Sequence, residues 1–343
     1  MPQVLFAGGR LDSLSVMAGA PIEQTYAGSF DTAYCDNSVR LVSAADLIQA
    51  TFLDATNNPV NVTTGQTVYV HFEFFPGISN TVFVAATNHV LLIDSAGNPW
   101  LTLRGISGTT LGLFYNSGTA GAPVWTQIGA AVFTPAASTR AIFDIKLTLG
   151  APHSVEWSIN NNLVQAGTFT QALLTSLRAL QMGNHYLGIT AYLSYSQMLA
   201  TEGRSTINAH VKYSRATAAG SNAGWTGAFT NVNEAINSDA TIDTAVTAGL
   251  RQTYAMSDVT IPAGYSIATV MHFLRAKNDG TAPNTIKSSV RQGVTNYDAA
   301  NNVLGIGTSF APCAARYDTD PSTALAWTQA GFNAAEFGYL SAA

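Results

Sequence analysis

The residues best placed to do chemistry lie two apart, His71 and Glu73, in the stretch Thr67-Val68-Tyr69-Val70-His71-Phe72-Glu73-Phe74-Phe75. Side chains on a strand alternate, so Tyr69, His71 and Glu73 share one face while Val68, Val70, Phe72 and Phe74 share the other. An imidazole and a carboxylate side by side are the parts of a proton-transfer pair. Sandwich-fold glycosidases, however, need two carboxylates at a controlled separation, and this strand offers one. Polar pairs on a sheet face ordinarily serve as cross-strand contacts. No catalytic residue is therefore assigned and the chain is read as a non-enzyme. Tyr69, His71 and Glu73, together with the ring of Trp100, remain a candidate ligand face suited to a sugar. Trp125 is a further aromatic of this kind, although large rings mostly stabilise by burial.

The other chemistry-bearing residues do not form motifs. His71, His89, His153, His185, His210 and His272 are scattered without metal-ligand spacing, and there is no G-x-S-x-G elbow. Gly105-Ile106-Ser107-Gly108 is not followed by the Gly-Lys of a phosphate-binding loop. Asp318-Thr319-Asp320 offers oxygen ligands, but the following Pro321-Ser322 makes it a turn opening. Cys35 and Cys313 are far apart and read as two separate small buried hydrophobes. No cofactor and no metal are expected.

The strands that must position these residues follow from pattern and punctuation. Pro76-Gly77 ends the central strand. Val90–Ile93 and Trp100–Arg104 flank the turn Asp94-Ser95-Ala96-Gly97-Asn98, and Val155–Ile159 and Leu163–Ala166 flank Asn160-Asn161-Asn162, so both read as hairpins. Leu111–Tyr115, Trp125–Phe133, Arg140–Leu149, Tyr192–Ala200 and Thr206–Tyr213 continue the pattern. Leu173, Leu174, Leu177 and Leu180 recur at helical spacing behind Thr170, which predicts one short helix over Gln171–Leu180. Ser214–Gly224 is small and polar throughout and reads as a linker. Beyond it, Arg251–Met256, Ser266–Ala276, Thr285–Gln292 and Cys313–Tyr317 form a second strand set, with Ser266–Ala276 apolar on both faces. The expectation is all-β: two β-sandwich, jelly-roll-like domains over 1–214 and 225–343, joined by 215–224, with one short helix.

A chain of 343 residues suits two domains. Charge is the anomaly, since Asp, Glu, Lys and Arg make up only 10% of the sequence where about 25% is usual. Lys and Glu are depleted where chains meet, so this composition points to a surface that contacts other chains. A net charge of −5 without a basic run argues against nucleic acid as a partner. No apolar run approaches the ~20 residues needed to span a bilayer. The opening Met1–Arg10 lacks a basic region followed by a long apolar one, so no signal peptide is read there, and Asn61-Val62-Thr63 is left as a chance acceptor match. A component made in the host cytoplasm and used in a virion fits this combination.

Two stretches resemble a family of tailed-bacteriophage structural proteins. Val4-Leu5-Phe6-Ala7-Gly8-Gly9 followed by Asp12-Ser13 is similar to the family's opening. The C-terminal half resembles it through Gly224-Trp225-Thr226-Gly227, Asn233-Glu234, Ile267–Ala276, Asp320-Pro321-Ser322-Thr323, Ala326-Trp327-Thr328 and Asn333-Ala334-Ala335-Glu336-Phe337-Gly338. The middle of the chain is similar to a concanavalin A/laminin-G type sandwich. The resemblance implies a non-enzymatic virion part, in capsid decoration or in the tail or collar. Its implied partners are other virion proteins and further copies of itself, with a trimer as the first expectation and a host surface glycan as the alternative ligand.

Overall fold

The computed structural model describes residues 3–43, 45–77, 85–107, 109–136, 138–183, 193–236, 238–280, 283–299, 303–305 (backbone only) and 307–342. His185, Tyr192 and Gly108 lie outside the described residues. The chain divides into two compact units, Met1–Phe52 with Pro59–Val211, and Leu53–Asn58 with Lys212–Ala343.

The first unit opens with β1 (Gln3–Gly8), β2 (Ser15–Ala18), β3 (Ile22–Gln24), β4 (Ser38–Leu41), β5 (Leu47–Thr51) and β6 (Val62–Thr63). It continues through β7 (Thr67–Phe75), β8 (Asn88–Ile93), β9 (Pro99–Ser107), β10 (Thr110–Asn116), β11 (Trp125–Phe133) and β12 (Ala141–Thr148). β13 (His153–Ile159), β14 (Asn162–Phe169), β15 (Ser176–Leu177), β16 (Ala179–Gly183) and β17 (Leu193–Glu202) complete it. One sheet runs β14-β13-β12-β7-β17-β4-β3, with β1 also on β17, and the other runs β11-β10-β9-β8-β16-β5-β2. Both are antiparallel, and their inner faces pack together as a β-sandwich.

β7 sits near the middle of the first sheet because its alternation matches the pleat. Val68, Val70, Phe72 and Phe74 are all buried, each contributing about 1.5–3 kcal/mol of burial. Phe72 stacks on Phe143 at 5.2 Å, and Phe133 of the other sheet meets Phe143 edge-on at 5.1 Å. The β13–β14 hairpin turns through Asn160 (φ 50) and Asn161 (φ 64), both in the left-handed region that Asn tolerates. In the β8–β9 turn, Asp94 Oδ1 accepts from the amides of Ala96 and Asn98, and Gly97 supplies the positive φ of 83.

The helix expected over Gln171–Leu180 is not formed. Two of its four leucines are laid into strands, Leu177 in β15 and Leu180 in β16 between β5 and β8, while Leu173 and Leu174 lie in the turn before them. Cross-strand hydrogen bonds on both sides of β16 outweigh a local helical preference worth only tenths of a kcal/mol per residue. Thr206–Tyr213, expected as a closing strand, is irregular and includes Asn208 at φ 61.

The second unit contains β18 (Ala216–Ala223), β19 (Arg251–Met256), β20 (Val270–Ala276), β21 (Thr285–Gln292), β22 (Thr295–Asp298), β23 (Val303–Gly305), β24 (Ala311–Tyr317), α1 (Gln329–Asn333) and β25 (Glu336–Ala342). A sheet ordered β18-β19-β25-β21-β22, with β23 also on β21, is covered by the pair β20-β24. Leu274 and Cys313 of that pair join Tyr254, Ile286 and Tyr339 of the sheet in one core cluster. α1 is the one α-helix among the described residues, capped by the Thr328 hydroxyl, which accepts from the Gly331 amide.

Two sequence expectations change here. The linker read at 215–224 is the edge strand β18, paired with β19. Its small residues are required by close approach: a Cβ on Gly220 would lie 2.6 Å from the Thr253 carbonyl, and one on Gly224 2.8 Å from that of Arg251. Ser266–Ala276 forms a strand only from Val270, and its Met271, His272 and Phe273 are half-buried rather than enclosed on both sides.

Candidate functional site

The polar face of β7 is a closed network. Glu73 is 1% and His71 2% exposed. Antiparallel register sets His71 opposite Asp144 of β12, and His71 Nδ1 lies 2.9 Å from Asp144 Oδ1. Thr206 donates its hydroxyl to the same oxygen at 2.7 Å. Asp144 Oδ2 is buried without a hydrogen-bond partner among the described residues.

Glu73 is held from three directions. Ser196 Oγ donates to Oε2 and Gln197 Nε2 to Oε1, both at 2.7 Å. The Asp31 amide donates to Oε2 at 3.1 Å, and Arg140 Nε stands 3.6 Å from Oε1. Burial raises the Glu73 carboxyl above the ordinary glutamate range, against the opposing pull of the Ser196 hydroxyl, the Arg140 charge and the Asp31 amide. Burial also pushes the nearby Cys35 thiol upward, aided by the charge of Glu73. Cys313, in the second unit, is likewise free and buried, which pushes its thiol up to about 12. Neither cysteine is poised as a nucleophile, because reactivity follows the thiolate.

Gln197 is the residue on which closure turns. It sits in a bulge of β17 between Ser196 and Leu199, at φ 46, a conformation costing roughly 1–3 kcal/mol for a non-glycine residue. The bulge directs its side chain between Glu73 and the chain above. Its Oε1 accepts the Val211 amide at 3.2 Å while its Nε2 serves Glu73. Tyr34 and His210 stack at 3.8 Å with 3° between their planes, joining the two covering segments. Burial lowers the His210 imidazole below its usual value, and the charge of His71 acts in the same direction.

The residues singled out from sequence are only partly brought together. Tyr69, His71 and Glu73 share the outward side of β7, where Tyr69 is half-buried beside Lys146. Trp100 stands apart, in β9 of the opposite sheet, buried, with its Nε1 donating to Asp94 Oδ2 at 2.9 Å. It does not contribute to this face. Trp125 is half-buried under the Arg104 guanidinium, 5.7 Å from its ring centre. His153 accepts the Gly150 amide at Nδ1 and meets the Gln171 carbonyl at Nε2, while His272 bonds Ser288. Asp318 pairs with Arg316 at 2.9 Å, and Asp320 caps its own turn by accepting from the amide and hydroxyl of Ser322.

Sequence reasoning missed Asp31, Arg140, Asp144, Ser196, Gln197 and Thr206. Asp144 alone left a trace, as an acid inside the apolar run Ala141–Leu147 and in phase with Lys146. In the second unit a groove of about 370 Å³ runs between the loop Ile261–Ile267 and Trp327, Thr328 and Gln329.

No protein-family model and no curated protein matches this chain. Among solved structures it is similar to the T. cruzi calreticulin globular domain, at 8% identity and TM-score 0.41 over 58% of this chain and 88% of that one. It is also similar to domain 4 of AbnA, a GH43 extracellular arabinanase from Geobacillus stearothermophilus, in complex with arabinotriose (14% identity, TM-score 0.40, 60% of this chain and 95% of that one). A third is the receptor binding domain of botulinum neurotoxin D, at 12% identity and TM-score 0.39 over 58% of this chain and 48% of that one.

Proposed function

We propose that this chain is a non-enzymatic structural component of a tailed-phage virion, in the capsid decoration or the tail or collar, acting through protein–protein assembly. The observation that carries the non-enzymatic part is the closure of the β7 face. A general acid or base must reach its substrate within hydrogen-bond distance, whereas both oxygens of Glu73 are occupied by protein donors and the carboxyl is 1% exposed. The network is built to hold Asp31, Arg140 and the 203–211 segment onto the sheet. Assembly is supported by the shortage of Lys and Glu and by the resemblance at the opening and in the C-terminal half.

Gold-labelled antibody on intact particles tests the reading. Labelling at regular positions is the expected result, and absence of the chain from purified particles overturns it. The alternative, a glycan-binding receptor-recognition module, predicts saturable binding on a glycan array that is lost with Tyr69→Ala. In the assembly reading the array is blank.

A further inference from the structure

Proline has no amide hydrogen, so within a sheet it is confined to edges, and Pro312 lies inside β24. Among the described residues β24 pairs with β20 alone. Along an antiparallel strand the backbone groups that face away from the partner belong to every second residue. The Arg316 amide is one of them, because it donates to Asn57 Oδ1 instead of to β20. Ala314 and Pro312 share its phase. Of these three outward positions Pro312 has no hydrogen to give and Arg316 is capped.

The cap comes from Leu53–Asn58, the turn between β5 and β6 in the chain, which belongs to the second unit. That turn is held by its own hydrogen bonds. Asp54 Oδ1 accepts the Thr56 amide and hydroxyl at 2.8 and 2.7 Å and the Asn58 amide at 3.0 Å. The Asp54 amide donates to the Asn58 carbonyl at 2.9 Å, and Asn57 stands at φ 64, which asparagine tolerates. A preformed turn loses little freedom when it meets a strand.

Arg316 also holds the other end of the turn. Its side chain is 1% exposed, with Nη1 donating to the Leu53 carbonyl at 2.6 Å and Nη2 to Asp318 Oδ2 at 2.9 Å. Edge strands are normally guarded by outward charges, because their open N–H and C=O groups recruit further strands. In Ala311–Tyr317 the one charged residue is Arg316, and it is buried against this turn. β24 therefore has no outward charge with which to repel a second strand.

We propose that Leu53–Asn58 is an edge guard: it occupies the outer side of β24 where another strand would pair and, together with Pro312, keeps the second unit from recruiting strands of other chains. The guard does not rest on the virion reading and holds with or without it.

Three variants of the full chain test it. Asn57→Gly keeps the positive φ and removes the side-chain acceptor, Asn57→Asp keeps both, and Asn57→Gly with Pro312→Thr also restores an outward amide. In Asn57→Gly the Arg316 amide should exchange about tenfold faster than in the parent, with β7 and β12 unchanged. Sedimentation at equal concentration should show species larger than the parent's for Asn57→Gly, more of them for the double variant, and none for Asn57→Asp, all with the parent's circular dichroism. Unchanged exchange at Arg316 removes the cap. Faster exchange with no added association in either glycine variant, association that is equal in Asn57→Asp, or association only in a chain that has lost its strand signal overturns the guard. Labelling of particles bears on the virion reading alone.

Discussion

Glu73 and Glu336, one in each unit, stand among similar numbers of donors and respond in opposite ways. Glu73 takes hydrogen bonds from Ser196, Gln197 and the Asp31 amide, with Arg140 at 3.6 Å, and its carboxyl is raised. Glu336 takes them from the Ser221 hydroxyl and amide and the Thr253 hydroxyl, with Arg291 at 4.0 Å, and its carboxyl is lowered. The difference is water. The Glu73 side chain is 1% exposed and that of Glu336 21%. Loss of hydration opposes ionisation in both, and in Glu336 the Ser221 and Thr253 bonds outweigh it. Counting hydrogen bonds does not give the charge state of a buried acid; its distance from solvent must be counted too.

Removing the deeper carboxyl tests this most severely. Glu73→Ala leaves the Ser196 hydroxyl, the Gln197 amide and the Asp31 amide without their acceptor in a closed site, while Arg140 keeps Asp31 at 3.1 Å, and the expected loss is about 3 kcal/mol in chemical denaturation. Glu73→Gln keeps the shape and removes the charge that burial disfavours, so its cost should be only about 1 kcal/mol. Equal losses would mean that the charge of Glu73 is fully compensated and that the contrast with Glu336 is false.

Gly338 sharpens the other half. It lets β19 and β25 approach closely enough for Thr253 to meet Glu336, and a Cβ there would lie 1.9 Å from the Gln252 carbonyl. Gly338→Ala should cost up to about 3 kcal/mol through overpacking. It should also move the Glu336 titration, read by NMR, upward towards the ordinary range. An unchanged titration would detach Glu336 from the strand spacing.

Acid should separate the two units. The folded pKa of Glu73 lies above its unfolded value, so the stability it contributes is fully present below that unfolded value and is lost as pH rises through the folded one. That of Glu336 lies below, so its contribution is present above the unfolded value of about 4.3 and is lost as pH falls through the folded pKa. Amide protection corrected for intrinsic exchange should therefore fall in β18, β19 and β25 as pH drops below about 4.3, with no loss from Glu73 in β7 and β17. Parallel behaviour of the two sites would break the comparison.

The smallest effect belongs to a pair with open access to water. Lys146 and Glu156 lie 2.7 Å apart with side chains 34% and 45% exposed, and this partner raises the Lys146 pKa. Lys146→Ala should cost no more than about 0.5 kcal/mol at low salt and less at high salt. A loss comparable to that of Glu73→Gln would show that the outer sheet face is drier than its exposure indicates.

The sequence by itself determined the strands whose period and turns are local. The alternation of β7 needed no partner to be read, nor did the Asn160-Asn161 turn or the Asp94–Gly97 corner, because each is dictated by pleat or by φ at adjacent residues. Trp125–Phe133, Arg251–Met256 and Thr285–Gln292 were legible to the residue for the same reason. Only the tertiary structure decided what those strands bring together. Register set Asp144 against His71, a bulge at Gln197 aimed an amide at Glu73, and two irregular segments closed the face that sequence left open to a sugar. Tertiary pairing also turned a helical leucine pattern into β15 and β16, and a small-residue linker into β18. Local propensities differ by tenths of a kcal/mol per residue, whereas a buried strand that leaves its N–H and C=O groups unpaired loses more at every position. Those partners lie tens to hundreds of residues away along the chain, so no local window contains them.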